Sequence, residues 1–283
     1  MLRYKEIFIS DQCNNNCLYC PFRQKYSSQP DLNTIIASLK QKNEDNVAFY
    51  GGEPTLRKDL LEIILAAKKN GYRRIKLLTN GRAFSDIQFL KQIVSSGCYL
   101  FEIKLWGSNP SLHDYITQMT GSFRETIHGL ENLVGRPHEK FVSVRIPVCK
   151  ENYADLENTV VTVLNFGINR VILSFHDYKL TFSQVLPHIK NAINISIFNR
   201  IWILTEGLPF CIMHGLENHM AEIYYGWDTI YDRTFKHHAY CVDCIYRELC
   251  HGAEVRYLEQ FGEKEFSPVI VNKYFQAIKT LYE

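Results

Sequence analysis

The first two-thirds of the chain alternates short apolar segments with longer amphipathic ones, and this alternation constrains the fold more than any other feature. Six segments rich in Ile, Val, Phe, Tyr and Leu predict β-strands at Glu6–Ser10, Asn46–Tyr50, Arg73–Leu78, Tyr99–Trp106, Phe141–Val148 and Arg170–Phe175. Five segments between them predict helices at Asp31–Lys42, Lys58–Asn70, Ser85–Ser95, Ser122–Val134 and Tyr153–Phe166. This order predicts an α/β fold with a mainly parallel sheet, and about six units make a partial (βα)6 barrel rather than a closed eight-unit barrel.

The pattern changes after Thr181, which indicates a small second part of the chain. A helix-like segment runs to about Phe198, a strand-like segment covers Arg200–Leu204, and a last helix is predicted at Val269–Tyr282. The 283 residues suit one large α/β domain with a small appendage. We predict a core domain over residues 1–198 and a C-terminal extension over residues 199–283. Within the core, Ser122 and Glu125 have the spacing of an N-terminal capping box.

The composition is that of an ordinary globular protein and argues against several classes of partner. A formal net charge of +2 gives no support for a nucleic-acid or membrane-surface partner. No apolar run is long enough for a signal peptide or a membrane-spanning helix, so the sequence predicts a cytoplasmic protein. Nine cysteines in such a protein point to metal binding or catalysis, because a reducing compartment disfavours disulfides.

Three of the cysteines lie together directly after the first predicted strand, in the sequence Cys13-Asn-Asn-Asn-Cys17-Leu-Tyr-Cys20. Three thiolates on one loop can hold three irons of a cubane cluster and leave the fourth iron open to a substrate or cofactor. Zinc is the alternative, but structural zinc sites normally have four protein ligands. The pattern therefore favours an iron–sulfur cluster.

A second group of cysteines lies in the predicted extension and comprises Cys211, Cys241, Cys244 and Cys250. Four thiolates indicate a closed site, and these residues alone fit a fully ligated cubane cluster and structural zinc equally. Two cysteines stand apart. Cys98 lies directly before the fourth predicted strand, away from the ligand side, and is interpreted as structural. Cys149 follows the fifth strand on the ligand side, where it could donate a hydrogen atom to a substrate radical, with a buried free thiol as the alternative.

The spacing Cys-x3-Cys-x2-Cys, with the aromatic Tyr19 before the last cysteine, resembles the signature of the radical S-adenosylmethionine (SAM) superfamily. Further matches are Gly51-Gly52-Glu53-Pro54 after the second strand, Thr79-Asn80-Gly81 after the third, and His113-Asp114-Tyr115-Ile116-Thr117…Gly121-Ser122-Phe123. Gln118 stands where that last stretch usually has Gly. The resemblance covers about residues 5–176.

The resemblance implies the fold, cofactors and site residues of that family. There SAM chelates the open iron of a 4Fe–4S cluster, and reduction cleaves SAM to methionine and a 5′-deoxyadenosyl radical that abstracts a substrate hydrogen. The implied cluster ligands are Cys13, Cys17 and Cys20, and the implied SAM-binding residues are Tyr19, Gly51, Gly52, Glu53, Pro54, Asn80, Lys104, Arg145 and Asn152. Lys104 is unusual at its position, and a surface salt bridge is an equally open reading of Arg145.

Beside such a core, the later cysteines resemble the C-terminal twitch extension, a short SPASM-type domain with one auxiliary 4Fe–4S cluster. This favours a cluster over zinc at Cys211, Cys241, Cys244 and Cys250. The implied function is that of an oxidoreductase or maturase acting on a ribosomally made peptide or another natural-product precursor. The implied partners are an external electron donor, such as flavodoxin or ferredoxin, and the substrate.

Three alternative functions remain open at this point. One is a small-molecule dehydrogenase similar to the aminocyclitol-oxidising twitch enzymes. Another is the molybdopterin-precursor cyclase, although that relative usually ends in Gly-Gly and this chain ends in Lys-Thr-Leu-Tyr-Glu. The third is a zinc-stabilised binding module without catalysis, which the three-ligand first site argues against.

Overall fold

Seven β-strands form one sheet whose spatial order follows the order of the sequence. The computed structural model describes residues 3–20, 22, 29–135, 141–175, 179–225 and 234–282. The strands are β1 (Lys5–Ser10), β2 (Asn46–Gly51), β3 (Arg74–Thr79), β4 (Leu100–Lys104), β5 (Phe141–Val148), β6 (Arg170–Phe175) and β7 (Trp202–Glu206). Neighbouring strands from β1 to β5 pair in parallel. The predicted α/β fold with a mainly parallel sheet is confirmed, and the later strand-like segment joins the first six strands as β7.

Helices connect the strands, and two short strands, β8 (Phe235–Lys236) and β9 (Ala253–Glu254), form a separate antiparallel pair. The helices are α1 (Leu32–Lys40), α2 (Leu60–Lys69), α3 (Ile87–Ser96), α4 (Pro110–Thr117), α5 (Ser122–Val134), α6 (Leu156–Asn165), α7 (Phe182–Asn199), α8 (Ala221–Tyr225), α9 (Val255–Phe261) and α10 (Phe275–Tyr282). None of the helices in the described ranges is long and apolar enough to cross a membrane.

The chain divides into two compact units. One contains residues Arg3–Ile146 and Asn158–Val171, and the other contains Pro147–Glu157 and the described residues from Ile172 onwards. The predicted boundary at residue 198 stays a prediction.

In the first unit, β3 buries alternate residues, whereas β2 and β4 bury consecutive ones. Ile7 and Ile9 of β1, and Ile75 and Leu77 of β3, are almost completely buried. Helix α2 buries Leu60, Ile63, Ile64 and Ala67, the i, i+3, i+4, i+7 spacing of one helical face. Because the strands are parallel, their carboxyl ends lie at one edge of the sheet, where Ser10 pairs with Gly51 and Lys104 pairs with Arg145.

Helix α4 was not expected from the sequence. It begins after Asn109, whose side chain accepts a hydrogen bond from the backbone N–H of Leu112, and Pro110 occupies its first turn. An Asn–Pro pair is a helix-start signal, but only eight residues follow it, so the apolar periodicity is weak. Helix α5 begins at Ser122 as predicted, but Gly121 is its N-cap and no side chain caps it from that position, so the predicted capping box is wrong.

Two predictions about the later part of the chain need correction. The last helix begins at Phe275 rather than Val269, because the carbonyl of Val269 accepts a hydrogen bond from the backbone N–H of Ile245. The seventh strand begins at Trp202 rather than Arg200, because Arg200 adopts a left-handed conformation with φ of 53° as the C-cap of α7.

In the second unit, aromatic stacking and one buried carboxylate organise the packing. Phe182 stacks on Tyr257 with ring centroids 4.0 Å apart, and Phe210 stacks on Tyr246 with centroids 4.7 Å apart. The buried carboxylate of Glu217 accepts hydrogen bonds from the Tyr246 hydroxyl at 3.1 Å and from the Asn272 amide at 2.7 Å. Phe210 precedes Cys211 and Tyr246 follows Cys244, so this packing fixes both cysteine-bearing segments.

Candidate functional site

The loop that carries Cys13, Cys17 and Cys20 begins where β1 ends. Its first residues form hydrogen bonds with the backbone directly after β2. The backbone N–H of Gly52 donates to the carbonyl of Ser10 at 2.7 Å, and that of Glu53 donates to the carbonyl of Gln12 at 2.6 Å. A Cβ atom at Gly51 would lie 2.2 Å from the Ser10 oxygen, and one at Gly52 would lie 2.4 Å from the Gln12 oxygen. The two glycines are therefore required for the close approach of these backbones.

Helix α4 holds the middle of the same loop. The backbone N–H groups of Asn16 and Leu18 donate to the carbonyls of Thr117 and Ile116, each at 2.9 Å. These carbonyls belong to the last turn of α4, where a helix has acceptors without an intrahelical partner. The unexpected helix thus supplies the acceptors for the backbone between Asn16 and Leu18.

The His-Asp-Tyr-Ile-Thr stretch, singled out in the sequence, keeps α4 in this position. His113 Nδ1 accepts a hydrogen bond from the backbone N–H of Trp106 at 3.2 Å. The indole of Trp106 stacks on Tyr19, with ring centroids 6.3 Å apart and an interplanar angle of 29°. Asp114 accepts hydrogen bonds from the backbone N–H groups of Gly121 and Phe123, both at 2.7 Å, and so joins α4 to the start of α5.

Glu53 is completely buried, and its carboxylate connects the ends of β2 and β3. Oε1 accepts hydrogen bonds from the hydroxyls of Thr55 and Thr79, both at 2.6 Å, and Oε2 accepts from the backbone N–H of Asn80 at 2.7 Å. Pro54 opens the short 3₁₀ turn Pro54–Leu56, for which Glu53 is the N-cap. The side-chain amide of Asn80 donates to Asn14 Oδ1 at 2.7 Å.

Two of the three thiols, Cys13 and Cys17, have raised pKa values. Partial burial raises the pKa of Cys13 to about 11, with smaller upward contributions from Glu53 and Cys20 and a downward one from Lys104. Burial also raises the pKa of Cys17 to about 12, again opposed by Lys104. Metal binding to these cysteines therefore involves loss of the thiol proton.

The donor set of this loop fits a thiolate-bound cluster. Cys13, Cys17 and Cys20 are free thiols, and Cys17 responds electrostatically to both of the others. Clusters of iron and sulfide are held by cysteine thiolates of this kind. Among the residues that the structure describes, no group of three or more His, Cys, Asp or Glu side chains is arranged for a single metal ion.

Arg145 lies in a buried ion pair that the sequence did not predict. Its Nε atom is 2.5 Å from Oε1 of Glu102, and both residues are less than a tenth exposed. Lys76 Nζ lies 3.3 Å from Oε2 of the same carboxylate. Burial alone would lower the pKa of Lys76, but the Glu102 carboxylate raises it. The salt bridge considered for Arg145 is therefore present, but it is buried rather than at the surface. A Glu within the apolar strand Leu100–Lys104 was the signal for this pair.

Cys149 and Asn152 follow β5 in the second unit. Asn152 Oδ1 accepts a hydrogen bond from the backbone N–H of Cys149, and its amide donates to the carbonyl of Pro147, both at 2.8 Å. Cys149 is 1% exposed, and this burial raises the pKa of its thiol far above the usual range. Cys98 is also buried, and its thiol donates to the carbonyl of Ile75 at 3.4 Å, which suits a structural role.

The four later cysteines line a single pocket in the second unit. The pocket encloses about 510 Å³ of space between atoms, including its open mouth, and Cys211, Cys241, Cys244 and Cys250 all border it. Burial raises the pKa of Cys211 to about 12, and the other three thiols contribute in the same direction. The sequence separated these cysteines by as many as 39 positions, and the fold brings them together.

Backbone contacts shape this pocket around Cys250. The backbone N–H of Gly252 donates to the Cys250 sulfur at 3.3 Å, and His237 Nε2 is 2.7 Å from the Cys250 carbonyl oxygen. Gly252 has φ of +91°, and a Cβ atom there would lie 2.4 Å from the carbonyl oxygen of Lys236. N–H groups that point at cluster sulfur atoms are among the features that set a cluster's reduction potential. His238 also borders the pocket and forms an ion pair with Glu263.

Curated proteins similar in sequence are named as cyclases. The chain is 27% identical over 139 residues to the GTP 3',8-cyclase of Peptoclostridium acidaminophilum, a match that covers 46% of this chain and 42% of that protein. It is 26% identical over 181 residues to the probable GTP 3',8-cyclase of Saccharolobus islandicus (strain Y.N.15.51 / Yellowstone #2), covering 59% of this chain and 54% of that protein. The chain thus spans about half the length of the curated relatives that it matches.

Solved structures share the fold over different lengths. The anSMEcpe structure with bound AdoMet and the Cp18Cys peptide has a TM-score of 0.64 at 14% identity, covering 100% of this chain and 96% of that chain. Streptococcus suis SuiB bound to the precursor peptide SuiA has a TM-score of 0.60 at 14% identity, covering 73% of this chain and 49% of that chain.

The family model described as the Radical SAM superfamily matches residues 7–163, which include the first cysteine loop, Glu53, Asn80 and Lys104. The match extends over more than half of the 283 residues. Members of this family are enzymes that use SAM and a 4Fe–4S cluster, and the non-catalytic zinc module is therefore set aside. The chain belongs to the radical SAM superfamily.

Proposed function

We propose that Cys13, Cys17 and Cys20 hold a 4Fe–4S cluster that binds SAM, and that the chain is a radical SAM oxidoreductase or maturase. The observation that carries this proposal is the set of three free thiols on one short loop, which is held by Gly52, Glu53 and helix α4. When bound, the cluster and SAM supply a 5′-deoxyadenosyl radical that abstracts hydrogen from a substrate carbon.

The other candidate residues of the first unit are proposed to bind SAM or to orient the residues that bind it. We assign contact with SAM to Tyr19, Gly51, Gly52, Pro54, Lys104 and Arg145, in keeping with the family resemblance. Glu53 and Asn80 have side chains engaged with Thr79, Asn14 and their neighbours, so we assign them an orienting role in which the backbone of the Gly51–Glu53 segment meets the cofactor. Lys104 lies close enough to Cys13 and Cys17 to lower the pKa of both thiols, which favours the thiolate forms that bind iron.

Two assignments concern the second unit. We propose an auxiliary 4Fe–4S cluster on Cys211, Cys241, Cys244 and Cys250, supported by the pocket that all four border. Asn152 is proposed to lie near SAM, and Cys149 to donate a hydrogen atom to a substrate radical, because its buried thiol keeps its proton. Exchange of Cys149 for Ala with unchanged product and turnover would refute this last role.

For the substrate we propose a peptide or another natural-product precursor. The support is the likeness of fold to anSMEcpe along nearly the whole of both chains, in a structure that contains a peptide. An external electron donor such as flavodoxin or ferredoxin is the proposed partner, and a cytoplasmic location remains the expectation. The aminocyclitol-oxidising type of dehydrogenase is the small-molecule alternative.

A second candidate function is cyclisation of GTP, the activity named for the curated relatives. These relatives are more similar in sequence than the solved structures, but the match covers only about half of their length. Incubation with GTP, SAM and a reductant, followed by mass spectrometry, discriminates the two functions. Loss of GTP with formation of a new nucleotide supports the cyclase, whereas unchanged GTP beside active SAM cleavage supports another substrate.

The first experiment measures iron and labile sulfide in anaerobically prepared protein. The wild type is compared with the triple variant Cys13→Ala, Cys17→Ala, Cys20→Ala, and Cys98→Ala is the matched control for loss of a thiol outside the sites. We expect about eight irons in the wild type and about four in the triple variant, as for two cubane clusters. About four irons in the wild type and none in the triple variant would refute the auxiliary cluster only. A wild type without iron after reconstitution would refute the proposal.

A further inference from the structure

The guanidinium group of Arg82 contacts the segment between Cys13 and Cys17. Its Nη1 atom donates to the carbonyl oxygen of Asn14 at 2.5 Å and to Oδ1 of Asn15 at 2.7 Å. Arg82 follows the Thr79-Asn80-Gly81 stretch at the end of β3, in a short 3₁₀ turn. The same arginine therefore reaches a backbone acceptor and a side-chain acceptor on two consecutive residues of the cysteine loop.

A second side chain, that of Asn80, also forms a hydrogen bond with Asn14. Asn80 donates from its amide to Asn14 Oδ1 at 2.7 Å, and Asn80 Oδ1 accepts the backbone N–H of Arg82 at 3.0 Å. The backbone of Arg82 and the side chain of Asn14 are thus both tied to one residue. Arg82 donates to the backbone carbonyl of Asn14 and Asn80 donates to its side-chain oxygen. Both the backbone and the side chain of Asn14 are therefore held.

Arg82 itself is anchored on helix α5. Its Nε atom donates to Oε2 of Glu125 at 2.6 Å, and the arginine side chain is only 11% exposed. The turn that carries Arg82 packs tightly on this helix, since a Cβ atom at Gly129 would lie 2.2 Å from the carbonyl oxygen of Gly81. The guanidinium is therefore held by Glu125 through Nε while its Nη1 atom contacts the loop.

The segment between Cys13 and Cys17 consists of three asparagines, which pack little apolar surface. Such a segment is ordered by hydrogen bonds or not at all, because burial offers it no stabilisation. Cluster ligands bind best when their side chains are held near the productive geometry before the metal arrives. The spacing of the Cys13 and Cys17 thiols therefore depends on what fixes Asn14 and Asn15.

We propose that Arg82 is a positioning residue that pre-organises the Cys13–Cys17 segment for the cluster, with Asn80 as the second contact and Glu125 as the anchor. The proposal rests on the proposed cluster function but concerns a residue outside the cysteine motif. Arg82 acts through the loop and does not touch the cluster ligands in any described contact. A lysine cannot reproduce the forked donor geometry of the guanidinium. Arg82→Lys therefore keeps the charge but loses the combined hydrogen bonds to Glu125, Asn14 and Asn15.

The test compares Arg82→Lys and Arg82→Ala with the wild type and with Arg124→Lys, an exposed arginine on α5 that serves as the matched control. One readout is the SAM-responsive electron paramagnetic resonance signal of the reduced protein, together with the rate of iron loss to a chelator. Replacement of residues that support metal ligands weakens metal binding by about 10- to 100-fold, and we expect Arg82→Lys to fall in this range. Glu125→Gln, which removes only the anchor, should have a smaller effect.

A second readout needs no iron. Hydrogen exchange of the Asn16 and Leu18 backbone amides in the apoprotein should be faster in Arg82→Lys, while the thermal midpoint stays near that of Arg124→Lys. Unchanged exchange and unchanged iron retention in Arg82→Lys would overturn the proposal, as would a fall in global stability that accounts for both changes. If the wild type binds no iron but exchange is faster in Arg82→Lys, the cluster function fails while the ordering role of Arg82 stands.

Discussion

Glu53 and Thr79 share a hydrogen bond of 2.6 Å in which the threonine hydroxyl donates to a completely buried carboxylate. The same carboxylate accepts from Thr55 and from the backbone N–H of Asn80. All of its described partners are donors, so both carboxylate oxygens act as hydrogen-bond acceptors. The glutamate of the Gly51–Pro54 motif thus connects the ends of two strands.

Replacement of Glu53 by Gln should therefore destabilise the first unit. The amide brings N–H donors towards the hydroxyl and N–H donors of Thr55, Thr79 and Asn80, which leaves buried donors unpaired. We expect the free energy of unfolding in urea to fall by about 1–3 kcal/mol, the usual cost of such groups. Glu62→Gln, an exposed change on α2, is the control and should lie within about 0.5 kcal/mol of wild type. Equal stability of both variants would contradict the role of Glu53.

The sequence predicted those features that repeat along the chain or depend on local spacing. Strand β5 and helix α5 have the predicted bounds because both are regular and flanked by clear breaks. The cysteine loop was found because its ligands are local in sequence. Contacts between distant residues, such as Arg82 with Asn14 and Arg145 with Glu102, have no local signal beyond a charge within an apolar strand.

A different physical reason accounts for the errors in the later part of the chain. Residues near Val269 are apolar and were predicted to be helical, but the carbonyl of Val269 accepts a hydrogen bond from the backbone N–H of Ile245. That contact joins two segments far apart in the chain, which a local pattern cannot reveal. Periodicity predicts the local preference of a segment, and here a tertiary hydrogen bond overrides it.

Asp114 is predicted to hold the start of α5. Its carboxylate accepts from the backbone N–H groups of Gly121 and Phe123 and from the Ser122 hydroxyl at 2.8 Å. Burial alone would raise its pKa, but these hydrogen bonds lower it below the usual value. Asp114→Asn should cost about 0.5–2 kcal/mol of unfolding free energy, as for loss of a helix N-cap.

The control for this substitution is Glu131→Gln, an exposed change on α5. Because α4 also contacts the cysteine loop, Asp114→Asn should in addition speed hydrogen exchange at Asn16 and Leu18. An Asp114→Asn protein as stable as the control, with unchanged exchange, would show that α5 does not need this carboxylate.

His113 predicts a pH dependence of stability. Burial lowers its pKa to about 4, with Asp114 opposing and Arg82 reinforcing this shift. Between pH 6.5 and pH 4 the unfolded chain binds a proton at this residue and the folded chain does not, so the free energy of unfolding falls as the pH falls. The resulting loss in the free energy of unfolding reaches roughly 3 kcal/mol below pH 4 and is absent above pH 6.5.

His113→Asn removes this titration and keeps an acceptor for the Trp106 N–H. Urea unfolding at pH 7 and pH 4.5 should show a smaller loss of stability in His113→Asn than in the wild type, because the variant lacks the buried imidazole. His128→Asn, an exposed histidine of α5, should behave as the wild type does. Identical pH profiles for wild type and His113→Asn would mean that the buried imidazole does not titrate as inferred.

The four-cysteine pocket predicts that the two metal sites can be separated. Cys244→Ser should remove iron from the second site, since a closed four-thiolate set leaves no spare ligand, while the first site keeps about four irons and its SAM-responsive signal. SAM cleavage without substrate should therefore persist in Cys244→Ser and be lost in Cys17→Ser, with Cys98→Ala behaving as wild type. If Cys244→Ser abolished SAM cleavage as fully as Cys17→Ser, the second site would be required for delivery of the electron. Zinc found at this site in place of iron, after anaerobic reconstitution with both metals, would make it a structural centre instead.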